Sequence, residues 1–449
     1  MLQVRARPTR RRVLQGSGAL SAGGLLTACG TGPAGSPPGA AKTGGPPPKV
    51  SFVKTQASET KDNAWRETFK LAEQAINVIP ELIVEPSAGF YEKRQAEFAA
   101  GTAAADVTVN ALNQFLPMGL RGMLVDLLPY FKRDRLDAGQ YYKADFESWT
   151  WKGKLFALTF QAGGEAVMYN KLAFLARGVK LPHKDWTYDD LLQACQRLND
   201  PANNVYDVHV QQNGVQYMMG TFMRNFGGKV LNDARDRALY ADDAGSVKGA
   251  EFNVDLHQKH RVAWTADLLR ALPPGTTPMR SKQAAMEING ITAAVDIRSA
   301  IGAEHLDYAP PPKGPGGVQQ ARVAGNAWSI LALSQQADAA WATLRWLHTR
   351  EGLLGPQLPA LAWPPLIWAA ESPQWQADYK GTRIADVTAV WQKAAHNQVV
   401  IPEGDAALQV MNGPINRALA GEISTREALR EGQDKANHLF SQRPAEWRL

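Results

Sequence analysis

The sequence predicts an α/β fold: a doubly wound, largely parallel sheet in one lobe, and a second lobe reached through a hinge. Three observations carry this expectation. Over residues 50–109, short apolar runs alternate with helix-spaced segments in the order β-α-β-α-β. At residues 149–171, WTWKGKLFALTFQAGGEAVMYNK, an apolar run through 153–159 meets a small, polar break at 160–165 and then an alternating run at 166–170. That pattern predicts a strand that leaves one lobe, changes direction and enters another, although an ordinary buried strand and loop would read similarly. Finally, a chain of 449 residues is expected to divide into two to three domains, each long enough to bury a core.

Taken in order, residues 50–53 read as a first strand and 54–63 as a polar loop. Trp65, Phe69, Ala72 and Ile76 recur at helical spacing through residues 64–76. A short strand at 82–84 ends at Pro86, a helix at 90–100 is closed by Gly101, and a third strand occupies 106–109. In such a sheet ligands sit beyond the carboxyl ends of the strands, which directs attention to Gln56, Asn110 and Asn113. Residues 122–130 carry an apolar loop-to-helix segment ahead of the hinge stretch. Beyond the hinge, Thr187 with Asp190 three residues on predicts a capped helix. Residues 216–226 form an apolar, Met-rich run ending at Gly227-Gly228, and 248–269 has a helical pattern. A strand is expected at 324–333, a helix at 337–347 with Trp341, Leu344 and Leu347 on one face, and a final helical pair at 415–439. No internal repeat occurs.

The N-terminus reads as an export signal. Thr9-Arg10-Arg11-Arg12-Val13-Leu14-Gln15 has the twin-arginine pattern and is followed by a weakly apolar stretch to Ala28. Leu26-Thr27-Ala28-Cys29-Gly30 then matches the bacterial lipobox, so residues 1–28 are expected to be a signal peptide and Cys29 the lipidated residue. Residues 29–49, rich in Gly, Pro, Ala and Ser, are expected to be a flexible tether. Cys195 is then the only other thiol, so no internal disulfide is possible, and its apolar helical setting predicts a small core residue.

Charge excludes one broad class. The whole chain carries 49 Lys+Arg against 43 Asp+Glu, but five arginines lie in residues 1–28, so removing that segment leaves 44 against 43, a net +1. Nothing here predicts nucleic-acid binding. Enzyme motifs are also missing: the chain has no Gly-x-Ser-x-Gly elbow, no phosphate loop, no Gly-x-Gly-x-x-Gly after a strand and no His-Glu-x-x-His. His257 and His260 share a helix face without a carboxylate at metalloprotease spacing, and read as a surface pair. No catalytic residue, metal ligand or cofactor is expected.

Several blocks in order resemble the family 1 extracellular solute-binding proteins, the sugar-capturing subunits of bacterial ABC importers. They are Gln95-Ala96-Glu97-Phe98-Ala99-Ala100-Gly101, Gly122-Met123-Leu124-Val125-Asp126-Leu127, the hinge strand at 153–158, Met168-Tyr169-Asn170-Lys171, Trp186-Thr187, Ala284-Ala285-Met286 through Gly290, residues 325–333 and residues 340–347. Three positions depart from the family pattern. Ala105 stands where Pro usually precedes Asp106, Ser281 where Gly usually precedes the Lys, and Ile291 and Thr292 where an aromatic often follows.

The resemblance implies a two-lobe periplasmic-binding-protein-like fold, with the N-terminal lobe at 50–157 and 308–347 and the C-terminal lobe at 158–307 and 348–449. It further implies a monomeric, lipid-anchored receptor outside the cytoplasmic membrane. That receptor would pass a mono- or oligosaccharide to ABC permease subunits by hinge closure, with ATP hydrolysis left to a partner. Sugars are held by amides, carboxylates and aromatic faces. The expected contacts are therefore Gln56, Tyr91, Asn110, Gln161, Glu165, Tyr217, Asn225, Asn289 and Asn326, with Trp328 and Trp363 as stacking platforms. Two other readings stay open. One is a binding protein for a polyamine, polyol phosphate or iron chelate, and the other is a secreted glycan-active enzyme using Glu165.

Overall fold

In the computed structural model, the described residues are 46–448 apart from 201, 203–207, 211–214, 274–275, 324 and 397–399. The twin-arginine motif, Cys29 and most of the expected tether therefore lie outside them.

The chain begins with β1 (Lys49–Thr55), α1 (Glu59–Ile76), β2 (Ile79–Glu85), α2 (Phe90–Ala99) and β3 (Val107–Ala111). β1 pairs in parallel with β2 on one side and β3 on the other. α1 starts inside the stretch expected to be loop. Ser58 is extended at its N-cap, and Glu59 and Asp62 place acids in the first turn, where they oppose the partial positive charge of the free N–H groups. The polar residues that suggested a loop are used differently: Lys54 and Asp62 are both buried and form an ion pair at 2.5 Å. α1 buries Trp65, Phe69 and Ala72 and packs against β2.

The sheet is completed by segments distant in sequence. β4 (Leu158–Gln161) leads into the hinge, and β5 (Glu165–Asn170) emerges from it. The Thr187 capping box forms as expected ahead of α3 (Tyr188–Leu198), with Thr187 and Asp190 each accepting from the other's backbone N–H. There follow β6 (Val208–Val210), α4 (Ala244–Gln258), β7 (Met286–Gly290), β8 (Leu306–Ala309), β9 (Asn326–Ile330) and α5 (Ala337–Trp346). The helices α6 (Asp405–Leu419) and α7 (Thr425–Ser441) pack on each other near the C-terminus, α6 beginning ten residues before the expected start.

Two sheets result. The first has the order β2-β1-β3-β9-β4 and the second β8-β5-β7-β6. β9 runs antiparallel to both β3 and β4, so the first sheet is parallel except for one inserted strand. The second sheet is mixed: β5 pairs antiparallel with β7 and β8, and only β6–β7 is parallel. Sheet membership changes at Ala162, Gly163 and Gly164. β4 still belongs to the first sheet and β8 to the second, a few residues beyond the lobe switches expected at 157/158 and 307/308. Each lobe has its own apolar core. Trp65, Trp328, Trp341 and Trp346 belong to the first, and Val167, Cys195, Leu256 and Met286 to the second.

Candidate functional site

The two sheets present strand ends to each other across the hinge. β1, β2, β3 and β4 all run toward one edge of the first sheet, where β9 begins: Thr55 pairs with Glu85, and Asn326 faces both Ala111 and Gln161. On the second sheet the start of β5 and the end of β7 coincide, Glu165 opposite Gly290. Gln161 and Glu165 are separated only by Ala162, Gly163 and Gly164, so these two edges flank one crossing.

Six of the expected contacts lie at or beside these strand ends. Gln56 follows β1 and is exposed. Asn110 is fully buried, with its Nδ2 donating to Ser329 Oγ at 2.9 Å and its Oδ1 lacking a partner. Gln161 Oε1 accepts from Asn326 Nδ2 at 3.5 Å. Glu165 is buried and accepts from Arg322 Nε at 2.5 Å. Asn289, near the end of β7, donates through Nδ2 to Glu287 Oε1 at 2.7 Å. Tyr91 stands nearby on α2, its hydroxyl accepting from Ala111 N at 3.3 Å, and burial pushes that phenol up to about 12.

Tyr217 joins this cluster from the Met-rich run. Its hydroxyl donates to Asn289 Oδ1 at 2.8 Å, and the Arg322 guanidinium lies over its ring at 4.5 Å. The following residues, Met218–Met223, form a π-helical turn, a local departure from α geometry that recurs near functional sites. Behind Asn289 the polar chain continues inward. Glu287 Oε2 accepts from Thr277 Oγ1 at 3.1 Å and lies 3.5 Å from His209 Nδ1. His257, expected on the surface, is instead buried near His209, and burial lowers its pKa to about 4. Burial also pushes the Glu165 carboxyl upward against the opposing pull of Arg322.

Direct bonds span the seam. Lys61, in the first turn of α1, reaches Asp296 at 2.9 Å and the Thr292 carbonyl at 3.3 Å. Asp405, at the start of α6, accepts from Asn113 Nδ2 and, at 2.7 Å, from Gln114 Nε2. Gly404 precedes it with φ 54°, and a Cβ there would sit 2.3 Å from the Asn113 carbonyl, so only glycine permits this approach. Among these residues only Asn113 was singled out from sequence. Lys61 lies in the run that reads as a polar loop, and Asp296 and Asp405 lie in segments without a sequence-based expectation.

Three of the expected contacts are placed apart from this cluster. Trp328 and Trp363 are both wholly buried among other aromatic rings. Trp328 sits on the interior strand β9, edge-on to Phe52 and Trp65, and Trp363 packs against Trp375 and Trp391. Asn225 is also fully buried, and its amide clamps one backbone unit: Oδ1 accepts from Gln320 N at 2.7 Å and Nδ2 donates to Gln320 O at 3.2 Å. Its Nδ2 also lies 3.5 Å from the Tyr188 hydroxyl, so the amide ties the return crossing to α3.

A cavity of about 750 Å³ opens beside the same crossing. It is lined by residues from the 138–147 segment, by Ala162, Gly163, Gly164, Arg322 and Val323, and by Ile367, Trp391 and Lys393. None of the eleven expected contacts lines it. Among the described residues no group of three or more His, Cys, Asp or Glu is placed to hold a metal ion, and no helix is long and apolar enough to cross a membrane.

Residues 56–353 match the family described as bacterial extracellular solute-binding protein. Among curated protein sequences none matches this chain significantly. Solved structures resemble it closely in fold. An ABC substrate-binding protein from Listeria monocytogenes in complex with cycloalternan aligns with TM-score 0.77 and 18% identity, over 88% of this chain and 99% of that one. A solute-binding protein from Thermotoga lettingae bound with α-D-tagatose gives 0.75 and 20%, over 88% and 100%. The GacH receptor of Streptomyces glaucescens, solved unliganded and with acarbose, gives 0.74 and 19%, over 88% and 99%.

Proposed function

Because the chain belongs to the bacterial extracellular solute-binding protein family, we propose that it captures a carbohydrate between its two lobes and delivers it to an ABC importer. The observation that carries this reading is the concentration of amides on facing strand ends: Asn110, Gln161 and Asn326 from one sheet, Asn289 from the other, with Tyr217 beside it. Planar amides both donate and accept, which matches the hydroxyls of a sugar ring, and a buried setting makes each mismatched hydroxyl costly. The ligands bound by the similar structures, cycloalternan, tagatose and acarbose, support a polyhydroxylated molecule.

In this reading Gln56, Asn110, Gln161, Asn289 and Asn326 supply hydrogen bonds. Tyr91 and Tyr217 supply hydroxyls and ring faces, and Glu165, held by Arg322, orients the crossing and accepts from the ligand. The lobes are built on approximately 50–161 with 326–347 and on 165–309 with the C-terminal helices, while Leu353, Leu361 and Leu366 pack into the first core, and they close by bending at the crossings. Closure reports occupancy to the permease, because binding energy shifts the population toward the joined state. The mature protein is a monomer held to the outer face of the cytoplasmic membrane through lipid on Cys29, and it makes or breaks no bond in its ligand.

A thermal-shift screen of the mature chain against mono- and oligosaccharides, polyols, polyamines and phosphorylated sugars tests this. A ligand at 100 times its Kd stabilises a protein by about 2.7 kcal/mol. A clear rise in Tm with one sugar class, and no product after long incubation, is the expected result. A shift only with polyamines or phosphates would overturn the carbohydrate assignment, and glycan consumption would overturn the receptor assignment.

A further inference from the structure

The segment that follows α7 runs from one lobe to the other. α7 itself belongs to the second lobe: Ala428, Leu429, Ala436 and Phe440 share an apolar cluster with Val247 and Ala250 of α4. Beyond it, Ala445–Trp447 forms a single helical turn that meets the first lobe at two places. Lys152 Nζ donates to the Glu446 carbonyl at 3.1 Å, and the Arg121 guanidinium lies over the Trp447 ring at 5.6 Å. Lys152 stands between Trp151 and Leu155, and Arg121 directly follows the short helix Phe115–Leu120; Trp151, Leu155 and Phe115 all pack in the first core.

Arg443 sets where this segment leaves α7. Its side chain is wholly buried and forks onto Glu403, Nε to Oε1 at 2.8 Å and Nη2 to Oε2 at 2.7 Å. Nη2 also donates to the Arg235 carbonyl at 2.8 Å, and Arg235 donates through Nη1 to the Val400 carbonyl at 3.2 Å. The loop so held joins the lobes, since Val400 packs in the first core and Ile401 in the cluster of α4, α6 and α7. A buried ion pair adds little net stability over apolar residues of similar volume, because both charges lose their water; what a forked pair supplies is direction. Here one pair directs two ties. It holds Glu403, two residues before the Asp405 that takes Asn113 and Gln114, and it holds the segment whose Trp447 meets Arg121. Gln114 and Arg121 flank the same first-lobe helix, so both of its ends are gripped.

We propose that residues 443–448 are a strap that fastens the closed lobes, with the Arg443–Glu403 pair as its clasp. The inference rests on the lobe-closing reading above and adds the element that sets its balance. The strap acts through residues other than the amides, so it raises the closed population without touching the captured molecule and slows release whatever the ligand.

Small-angle scattering of the ligand-free chain tests this. Lys152→Met/Trp447→Ala removes both strap contacts, at one exposed and one half-buried position. Losing a hydrogen bond and a cation–π contact should move the closed–open equilibrium about tenfold toward the open form, read as a larger radius of gyration with little change in Tm. The same double substitution is repeated in an Asp405→Ala chain, where loss of the neighbouring tie brings the equilibrium nearer balance. Arg443→Lys keeps the charge but cannot present a planar fork to both Glu403 oxygens and the Arg235 carbonyl, so it should expand the protein as well. A radius unchanged by the double substitution in both backgrounds would overturn the strap, and an Arg443→Lys chain as compact as the parent would overturn the clasp. No ligand enters this measurement, so a failed sugar screen would overturn the carbohydrate reading and leave an expansion seen here standing.

Discussion

Glu165 and Arg322 are buried side by side, one from each of two crossing segments, at 2.5 Å. Removing one partner leaves the other charge stranded in a dry site, so Glu165→Gln should destabilise the protein by about 3–5 kcal/mol, measured by denaturant unfolding; a loss below about 1 kcal/mol would show the pair to be dispensable. Asp145 offers a pH test. Burial raises its carboxyl to about 7, above the usual value of about 3.9 in an unfolded chain. The folded state therefore binds the extra proton between those values, and the stability from this group, full below about pH 4, is lost as the pH rises toward 7. Asp145→Asn should accordingly be more stable than the parent at pH 8, by up to about 4 kcal/mol, with the difference vanishing near pH 4. His257 has the opposite sign, its depressed pKa costing stability as the pH falls from about 6.5 toward 4, which is why comparing variant with parent at each pH isolates Asp145. At this scale the position of the amides near strand ends was legible in the sequence, because the apolar pattern marks those ends. The burial of Trp328 was not. β9 is an interior strand with Ala327, Trp328 and Ser329 all buried, so alternation could not tell a core tryptophan from one facing a ligand. Arg322 carried no sequence signal, since a cation becomes distinctive only once its burial is known.

Secondary structure elements were read best where a local rule acted alone. The helix after Thr187 was found from its cap, and Thr187→Ala should cost about 1 kcal/mol, a loss visible as a lowered midpoint in urea. The start of α1 was missed because Lys54 and Asp62 looked solvated, whereas their mutual pairing is a tertiary contact that no local pattern reports. The break at Ala162, Gly163 and Gly164 was legible as a change of direction, but its chemical requirement was not. Gly164→Ala would place a methyl group inside the contact distances of Trp391 and the Arg322 carbonyl. Overpacking of this kind costs about 1–3 kcal/mol, and because the strain falls on a hinge, the Tm should drop together with ligand affinity. An unchanged Tm would mean that Trp391 moves aside without cost.

At the scale of the whole molecule, the two lobes followed from pattern and resemblance, while the way they are fastened did not. Lys61–Asp296 and Asp405 with Asn113 and Gln114 join segments separated by more than 200 positions in the chain, and such partners are chosen by three-dimensional proximity alone. Partly exposed bonds of this kind are each worth about 0.2–1 kcal/mol. A Lys61→Ala/Asp405→Ala double variant should therefore shift the unliganded protein toward an open arrangement, with a larger radius of gyration in small-angle scattering and little change in Tm. An unaltered scattering profile would place control of closure at the crossings instead.

The strand β9 has a further consequence, in time. Its partners β3 and β4 are made first, yet each keeps an unsatisfied edge until residues 326–330 arrive between them. At roughly 5–20 residues per second, β3 waits on the order of 10–40 s after its own synthesis before its neighbour emerges from the ribosome. For that interval the nascent chain carries an open sheet edge and the uncovered side chains of Phe52 and Trp65, the surfaces that Trp328 will later seal. The first lobe is thus unable to finish folding as an N-terminal fragment, and truncations ending before Asn326 should aggregate.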